Sequence, residues 1–538
     1  MSCRLLFGII KSLNITHRKR DNYTTMRSIC QVVLPLDLGT KISEDDPVRK
    51  LVEICDGLNY RKLYGEYLRN WRRIDPVVLF EIVVLAYMHG KYSSREIEDL
   101  CRNDIRFMWL LGGEAAPDHA TIARFQNERL VPVVEDLFYQ LANKLIELGE
   151  ISYNNVFVDG TKIEANANRY TFVWANAVKN NRRKLNVRLE KELPLVAKKY
   201  GIDESSSLEE VLYAMESYAN MYEIRFVYGS GRRKTEFQRD YDKLREYKLK
   251  LDAYEESLGI CGKRKSFSKT DTDATFMRTK DDHMQNGQLK PCYNVQICVE
   301  SEYITGLGLF PNPADTMTLI PFLKRVQNGC GRKIQSVTAD AGYASEENYT
   351  YLEENGQEAY IKPTDYEVRK TKRFKENVYR VENLIYDEEK DTFVCPNEKR
   401  LFYVGKSHEK TESGYVTTKK NYVCESCEGC SHREKCYKAK EGARRISVSQ
   451  TMRRLKQEAT ERINTERGSI LRQNRSIQVE GAFGVLKENF GFRRFLTRGK
   501  AKTETQFFIL AIAFNVQKLW NRENSRRFNM FLFNEKAS

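Results

Sequence analysis

No stretch of this sequence is apolar for long enough to cross a membrane. The longest candidates, VVLFEIVVLAYM at 77–88 and FFILAIAF at 507–514, fall short of the roughly 20 residues that a spanning helix needs. The N-terminal MSCRLLFGIIKSLN carries a brief apolar patch but no adequate hydrophobic region and no small-residue cleavage site, so no secretory signal is expected. Thirteen cysteines, an odd number, leave at least one without a partner. Together these absences argue against a membrane protein and a disulfide scaffold, and predict a soluble protein of a reducing, intracellular compartment.

What the chain has in excess is positive charge, 89 Lys and Arg against 74 Asp and Glu, a formal net charge of +15. Such a surplus favours a polyanionic partner, because each phosphate neutralised releases condensed counterions. Self-repulsion that keeps a soluble protein dispersed would give the same composition. With 41% hydrophobic and 30% charged residues the chain is globular rather than disordered. Its 538 residues call for two or three structural units, or one core with large insertions.

Residues 1–40 read as a poorly ordered leader, within which Met26 is an alternative start. From 41 to 150 the pattern is helical. Val48, Leu51, Val52 and Cys55 have helical spacing, Pro76 opens a very apolar helix, and Ser93 or Ser94 can cap the next. Arg95, Arg102, Arg106 and Arg124 on exposed sides suit a small DNA-binding bundle, but no recognition-helix signature is present. An ordinary helical domain with solvated arginines reads equally well.

The period then changes. NNVFVDGTKIEAN (154–166) is a strand that ends on Asp159, whereas 175–265 is charged and helical, with a packing stripe at Leu244, Tyr247, Leu251 and Tyr254 and a turn at Gly229 to Gly231. A hairpin follows at 293–301 and 303–311, then a helix capped by Asp315, a strand that ends on Asp340, and a short strand at 358–363. Residues 364–455 are basic, cysteine-bearing and weakly periodic. A helix around 468–490 carries Glu480, a basic stretch covers 491–502, and an apolar helix covers 504–521. With the two insertions set aside, the first and fourth strands can be neighbours in a mixed sheet, where functional groups collect at the carboxyl ends of parallel strands. Asp159, Asp340 and Glu480 could then meet.

At these residues the chain resembles the bacterial insertion-sequence transposases of the DDE superfamily, with a ribonuclease H-like core, and most closely those with an InsH-type helical N-terminal domain. The resemblance is carried by FVDGTKIEANANRYTF, MRTKDDHMQNGQLKPCYNVQ, VTADAGYASEENY and VEGAFGVLKENFGFRRFLTRGK, and runs from about residue 30 to 521. It implies an α/β fold with a helical N-terminal domain (41–150), a core in three parts (151–174, 266–363 and 456–538), a helical insertion (175–265) and a cysteine-containing insertion (364–455). It also implies a cytoplasmic, nucleoid-associated enzyme that acts as a homodimer on double-stranded DNA, both the terminal inverted repeats and the target. Related transposases often place a Tyr and an Arg before the catalytic Glu and a Lys seven residues after it. Lys487 fits, two helical turns along. Gln473 and Ser476 stand at the other two positions, with Arg475 or Arg472 as substitutes for the Arg.

The implied chemistry is an in-line displacement at phosphorus, which two Mg²⁺ (or Mn²⁺) ions about 4 Å apart can assist. Mg²⁺ prefers hard oxygen ligands, so resemblance and chemistry select the same metal ligands, Asp159, Asp340 and Glu480. Among rival acids, Asp271, Asp273, Asp281 and Asp282 read as turn-forming aspartates of a solvated loop, Glu164 as a surface residue, and Glu488 as rotated off the metal face. His283 reads as a structural loop residue, with phosphate contact or water orientation as its alternative. Lys487, Arg493, Arg494, Arg498 and Lys500 could track a DNA backbone, or form a charged helix end. Cys424, Cys427, Cys430 and Cys436, with Cys395 as alternative ligand and His432 among them, suit a structural Zn²⁺. Reduced loop cysteines are the alternative, and an iron–sulfur cluster a third reading. Two rival functions stand beside transposition: a ribonuclease H-like nuclease that only cuts, and a non-catalytic, domesticated DNA-binding protein.

Overall fold

The structure, a computed structural model, describes residues 38–67, 74–229, 233–279, 287–439 and 441–525. Most of the leader, the loop residues Asp281, Asp282 and His283, and the centre of the Gly229 turn lie outside the described residues. The chain divides into two compact units, one of residues 1–161, 294–497 and 501–538, the other of residues 162–293 and 498–500.

The first unit begins with helices α1 (Pro47–Asp56), α2 (Arg61–Gly65), α3 (Pro76–Met88), α4 (Ser94–Asn103), α5 (Ile105–Leu111), α6 (His119–Arg124) and α7 (Val134–Glu147). Their starts follow local chemistry. Asp46 and Asp75 accept the N–H groups of Val48 and Val77, each ahead of a first-turn proline, and Ser93 forms a capping box with Glu96. Helix α3 is buried on all sides, so its apolar run belongs to the core. Among the described residues no helix is long and apolar enough to cross a membrane.

The same unit holds a mixed sheet built from β1 (Asn155–Glu164), β5 (Leu289–Glu300), β6 (Tyr303–Phe310), β7 (Ser336–Ala339) and β8 (Glu358–Ile361). Its order is β5-β1-β7-β8, with β6 on β5. β1 runs parallel to β7, and β7 to β8, whereas β5 and β6 form the expected hairpin. The hairpin turns through Ser301 and Glu302, with φ of 49° and 66°, the left-handed conformation a tight two-residue turn requires. Two corrections arise here. β1 does not end at Asp159 but continues to Glu164. Asp315 does not cap the helix α11 (Leu319–Cys330); it opens a separate 3₁₀ turn (Asp315–Met317), and its carboxylate is taken by other partners.

The stretch 364–455 proves more regular than its sequence suggests. β9 (Ile385–Asp387), β10 (Thr392–Val394), β11 (Arg400–Lys410), β12 (Val416–Cys424) and β13 (Arg445–Val448) form an antiparallel sheet of consecutive neighbours. Its period is hard to read because β11 buries only Leu401, and β12 only Tyr422 and Cys424. Helix α12 (Glu346–Glu354) precedes β8, the short α13 (Tyr366–Lys370) and α14 (Lys372–Lys375) lead into this sheet, and α15 (Arg433–Cys436) lies between β12 and β13. The helices α16 (Gln450–Asn464), α17 (Glu466–Gly484) and α18 (Lys500–Asn524) follow. Asn515 of α18 bonds both the N–H and the C=O of Ile304, satisfying backbone groups of β6 where its partner strand does not.

The second unit carries three helices, α8 (Ala175–Lys199), α9 (Leu208–Met221) and α10 (Glu236–Cys261). Leu185, Val211, Met215, Leu244 and Tyr247 form their core, with Leu251 and Tyr254 packed against it, so the predicted stripe is the packing face. In this unit β2 (Phe172–Trp174) pairs antiparallel with β3 (Ser266–Ser268), and β4 (Thr275–Arg278) with residues 289–292.

Candidate active site

Parallel pairing of β1 with β7 sets Val158 opposite Ala339. Asp159 and Asp340 are the next residue on each strand, so two acids remote in sequence stand side by side. Each carboxylate accepts the N–H of a glycine just after it: Gly160 N–H, within β1, donates to Asp159 Oδ1, and Gly342 N–H, in the turn after β7, donates to Asp340 Oδ1, both at 2.8 Å. Behind them lies buried Tyr343, whose hydroxyl bonds Gln296 Oε1. Burial, followed by the charges of Asp315, Asp159 and Asp340, holds its phenol well above the ordinary range.

Close approach explains the glycine after Asp159. A Cβ on Gly160 would stand 2.2 Å from Gln296 Nε2 and 3.0 Å from Asp315 Oδ1. That amide has little freedom, because Gln296 Nε2 donates to Asp315 Oδ1 at 2.9 Å and Asn294 Nδ2 donates to the same oxygen at 2.7 Å. Sequence reading missed Asp315 as a member of this group. An aspartate just ahead of an apolar helix looks like a cap, and only the β5-β1 pairing brings Asn294 and Gln296 to it.

The predicted third acid is placed differently. Glu480 is exposed on α17, and its Oε1 accepts the Ser476 hydroxyl at 3.1 Å. The residue of that helix which does reach the pair is Arg475, whose Nη1 lies 3.2 Å from Asp159 Oδ2 with both side chains largely covered. Among the described residues no three His, Cys, Asp or Glu side chains are gathered tightly enough to hold a metal ion as they stand. Lys487 lies in a π-helical turn, Val485–Asn489, beyond the end of α17. The wider turn breaks the 3.6-residue phase that would put Lys487 on the face of Glu480.

Residues 394–520 match the family described as transposase DDE domain, and residues 36–128 match that described as transposase domain (DUF772). No curated protein and no solved structure matches the chain. The two family matches indicate an insertion-sequence DDE transposase. That family implies DNA as a partner.

The remaining predicted residues are spread out. Arg472 stacks over Tyr366, Arg493 pairs with Glu488 at 2.7 Å, and Arg494 is exposed. In the second unit Arg498 bonds the Asn166 carbonyl at 2.9 Å, and the exposed Lys500 bonds Asp273 through its backbone. Of the N-terminal arginines, Arg102 and Arg106 pair with Glu98 and Asp104, whereas Arg95 and Arg124 are exposed. Two rival acids are corrected. Asp271 is not in a solvated loop: it is buried and accepts the Tyr293 hydroxyl and the Gly499 N–H, and burial pushes its carboxyl up. Glu164 is largely covered and paired with Arg169.

The cysteines fall at one end of the small sheet. Cys395 and Cys427 pack against the cluster that contains Cys424. Cys427 Sγ accepts the Arg444 N–H at 3.3 Å, Cys395 Sγ the Asn397 N–H at 3.4 Å, and Cys436 Sγ the Arg444 guanidinium at 3.0 Å. His432 bonds the Tyr379 hydroxyl instead, and Cys430 is half-buried.

Proposed function

We propose that the transposase binds the terminal inverted repeats of its mobile element and catalyses metal-dependent strand cleavage and transfer on a ribonuclease H-like core. The observation that carries this reading is the β1–β7 register, which sets Asp159 beside Asp340. Hard carboxylate oxygens on adjacent strands suit Mg²⁺ or Mn²⁺, and the Arg475 guanidinium on Asp159 Oδ2 marks that oxygen as a cation acceptor. Asp159 and Asp340, joined by Glu480 through a change of side-chain rotamer, would hold two such ions. When bound, the ions supply activation of the attacking oxygen and stabilisation of the leaving one.

The chain's own part is orientation. The N–H groups of Gly160 and Gly342 fix one oxygen of each aspartate. Arg475, once released from Asp159, can follow a phosphate, with Arg472, Lys487, Arg493, Arg494, Arg498 and Lys500 as further backbone contacts. The family resemblance adds a homodimer that synapses two ends.

The test supplies element-end DNA with a free 3′-hydroxyl and a target duplex. Wild-type protein is expected to yield joined product and Asp340→Ala none. Cleavage without joining would favour the nuclease reading, and end binding with neither step the domesticated one.

Packing of Cys395, Cys424 and Cys427, with backbone N–H groups on two of the sulfurs, supports a separate structural Zn²⁺ completed by Cys430 or Cys436. Metal analysis should find about one zinc per chain; a folded, zinc-free protein would remove this part of the reading.

A further inference from the structure

Both family matches lie outside residues 162–293, so neither assigns a role to the unit built on α8, α9 and α10. Charge is segregated among these three helices. On α10 basic and acidic residues are interspersed and pair, as Lys250 does with Glu246 and Lys248 with Asp252 and Glu209. α9 carries Glu209, Glu210 and Glu216 and no Lys or Arg. On α8, by contrast, residues 175–189 hold Lys179, Arg182, Arg183, Lys184 and Arg188 and no acid. Arg182 pairs with Glu255 of α10. The other four are exposed and form no ion pair or hydrogen bond among the described residues.

α8 turns Val178, Leu185 and Leu189 inward. At 3.6 residues per turn the opposite line of the helix is Asn176, Asn180 and Val187, all exposed, which fall within about 40° of one another. Lys179 and Arg183 lie about 60° to one side of that line, and Lys184 and Arg188 about 80° to the other. The outward face thus has an uncharged centre of two amides and one branched alkyl group, with a pair of cations along each edge. Each edge is a like-charge pair at i,i+4, an arrangement that destabilises a helix by itself and that a polyanion lying along the edge relieves. Mixed, paired charges such as those of α10 are what solvation alone requires.

The major groove of duplex DNA matches this pattern. It is about 12 Å wide and admits one α-helix. Base edges then meet the centre line, where an asparagine amide can donate to adenine N7 and accept from its amino group, and an alkyl group can meet a thymine methyl. Phosphates meet the two edges. From Asn176 to Arg188 the face runs about 18 Å, the rise of about five base pairs, and Glu190 bounds it at the C-terminal end.

We propose that α8 lies in the major groove of the element-end duplex, with Asn176, Asn180 and Val187 toward the bases and Lys179, Arg183, Lys184 and Arg188 toward the flanking phosphates. Base-reading asparagines suit the fixed sequence of an element end rather than a target of varied sequence. This rests on the reading of the chain as an enzyme that binds its terminal inverted repeats.

The test measures fluorescence anisotropy with the full-length protein on an element-end duplex and on an unrelated duplex of equal length. Changing Lys179, Arg183, Lys184 and Arg188 together to alanine should lower the slope of log affinity against log salt by about three to four. Lys248→Ala, whose charge Glu209 and Asp252 already answer, should leave the slope unchanged. Asn176→Ala combined with Asn180→Ala should weaken element-end binding by about tenfold or more and leave the unrelated duplex unaffected. Replacing the adenines of the end by 7-deazaadenine removes the N7 acceptor, and should weaken wild-type binding about tenfold while costing the asparagine variant little more. Every substituted side chain is exposed, so melting temperatures should match the wild type. An unchanged salt slope in the quadruple variant overturns the proposal. So does an asparagine variant that loses nothing or loses equally on both duplexes, or wild-type binding that ignores 7-deazaadenine. If the wild type prefers the element end and the α8 variants match it, the proposed function survives and α8 is a solvated face. If the wild type shows no preference for the element end, both readings fall.

Discussion

The two sheets of the first unit use their aspartates in opposite ways. In the mixed sheet Asp159 and Asp340 meet at adjacent strands, and among the described residues the Asp340 carboxylate accepts only the N–H of Gly342. In the small antiparallel sheet Asp391 is satisfied locally, by Lys420 at 2.8 Å and by the hydroxyls of Tyr386 and Tyr422, both at 2.7 Å. An acid with cation and hydroxyl partners of its own stabilises a fold. Asp159 has Arg475 as its cation at 3.2 Å, whereas Asp340 forms no ion pair among the described residues; two acids with one cation between them make a candidate ligand site rather than a locally satisfied one.

The largest expected effect tests the first half of that contrast. Asp159→Asn should lower strand cleavage by about a thousandfold, the equivalent of several kcal/mol of metal-dependent stabilisation, while the urea midpoint stays put or rises. Asp391→Asn, assayed alongside, should cleave normally. A collapse of folding in Asp159→Asn would place it with the structural acids and break the comparison.

Gly160→Ala asks how rigid the acidic group is. Its Cβ meets an amide held by Asp315 and Tyr343, so overpacking should cost about 1–3 kcal/mol, measured by urea unfolding, and cleavage should fall with it. A neutral result would mean that Gln296 moves freely.

A smaller effect sharpens the other half. Burial opposes ionisation of Asp391, but the hydrogen bonds from Lys420, Tyr422 and Tyr386 prevail and hold its carboxyl at about 2. That lies below the unfolded value of about 3.9, so its stabilisation is complete above about pH 4 and is lost as pH falls through about 2. Acid titration followed by tyrosine fluorescence should show a limb over that window which Asp391→Asn flattens.

The smallest expected effect concerns DNA. Arg494→Ala should reduce the slope of log affinity against log salt by about one if the side chain neutralises a phosphate. An unchanged slope would return Arg494 to the charged helix end.

Much of the fold was legible because its signals are local. Pro76, Ser93 and the stripe through Leu244 and Tyr247 each act within a turn or two of chain, and the structure follows them. The hairpin at 293–311 was legible for the same reason. The antiparallel sheet at 385–448 was not, since strands that bury one or two side chains leave little alternation to read. The π-turn at Lys487 was equally hidden, as no residue type announces the change of phase.

By itself the sequence determined that acids follow apolar β-branched runs at Asp159 and Asp340, that a net charge of +15 favours a polyanionic partner, and that cysteines cluster near 424–436. Tertiary structure alone decided which acids share a neighbourhood. Strand pairing joins residues far apart in the chain: it sets Asp159 beside Asp340, brings Asn294 and Gln296 to Asp315, and presents Arg475, rather than Glu480, to Asp159. Spacing along a chain specifies a face of one helix or strand, but which faces meet is set by burial of the whole sheet against its helices.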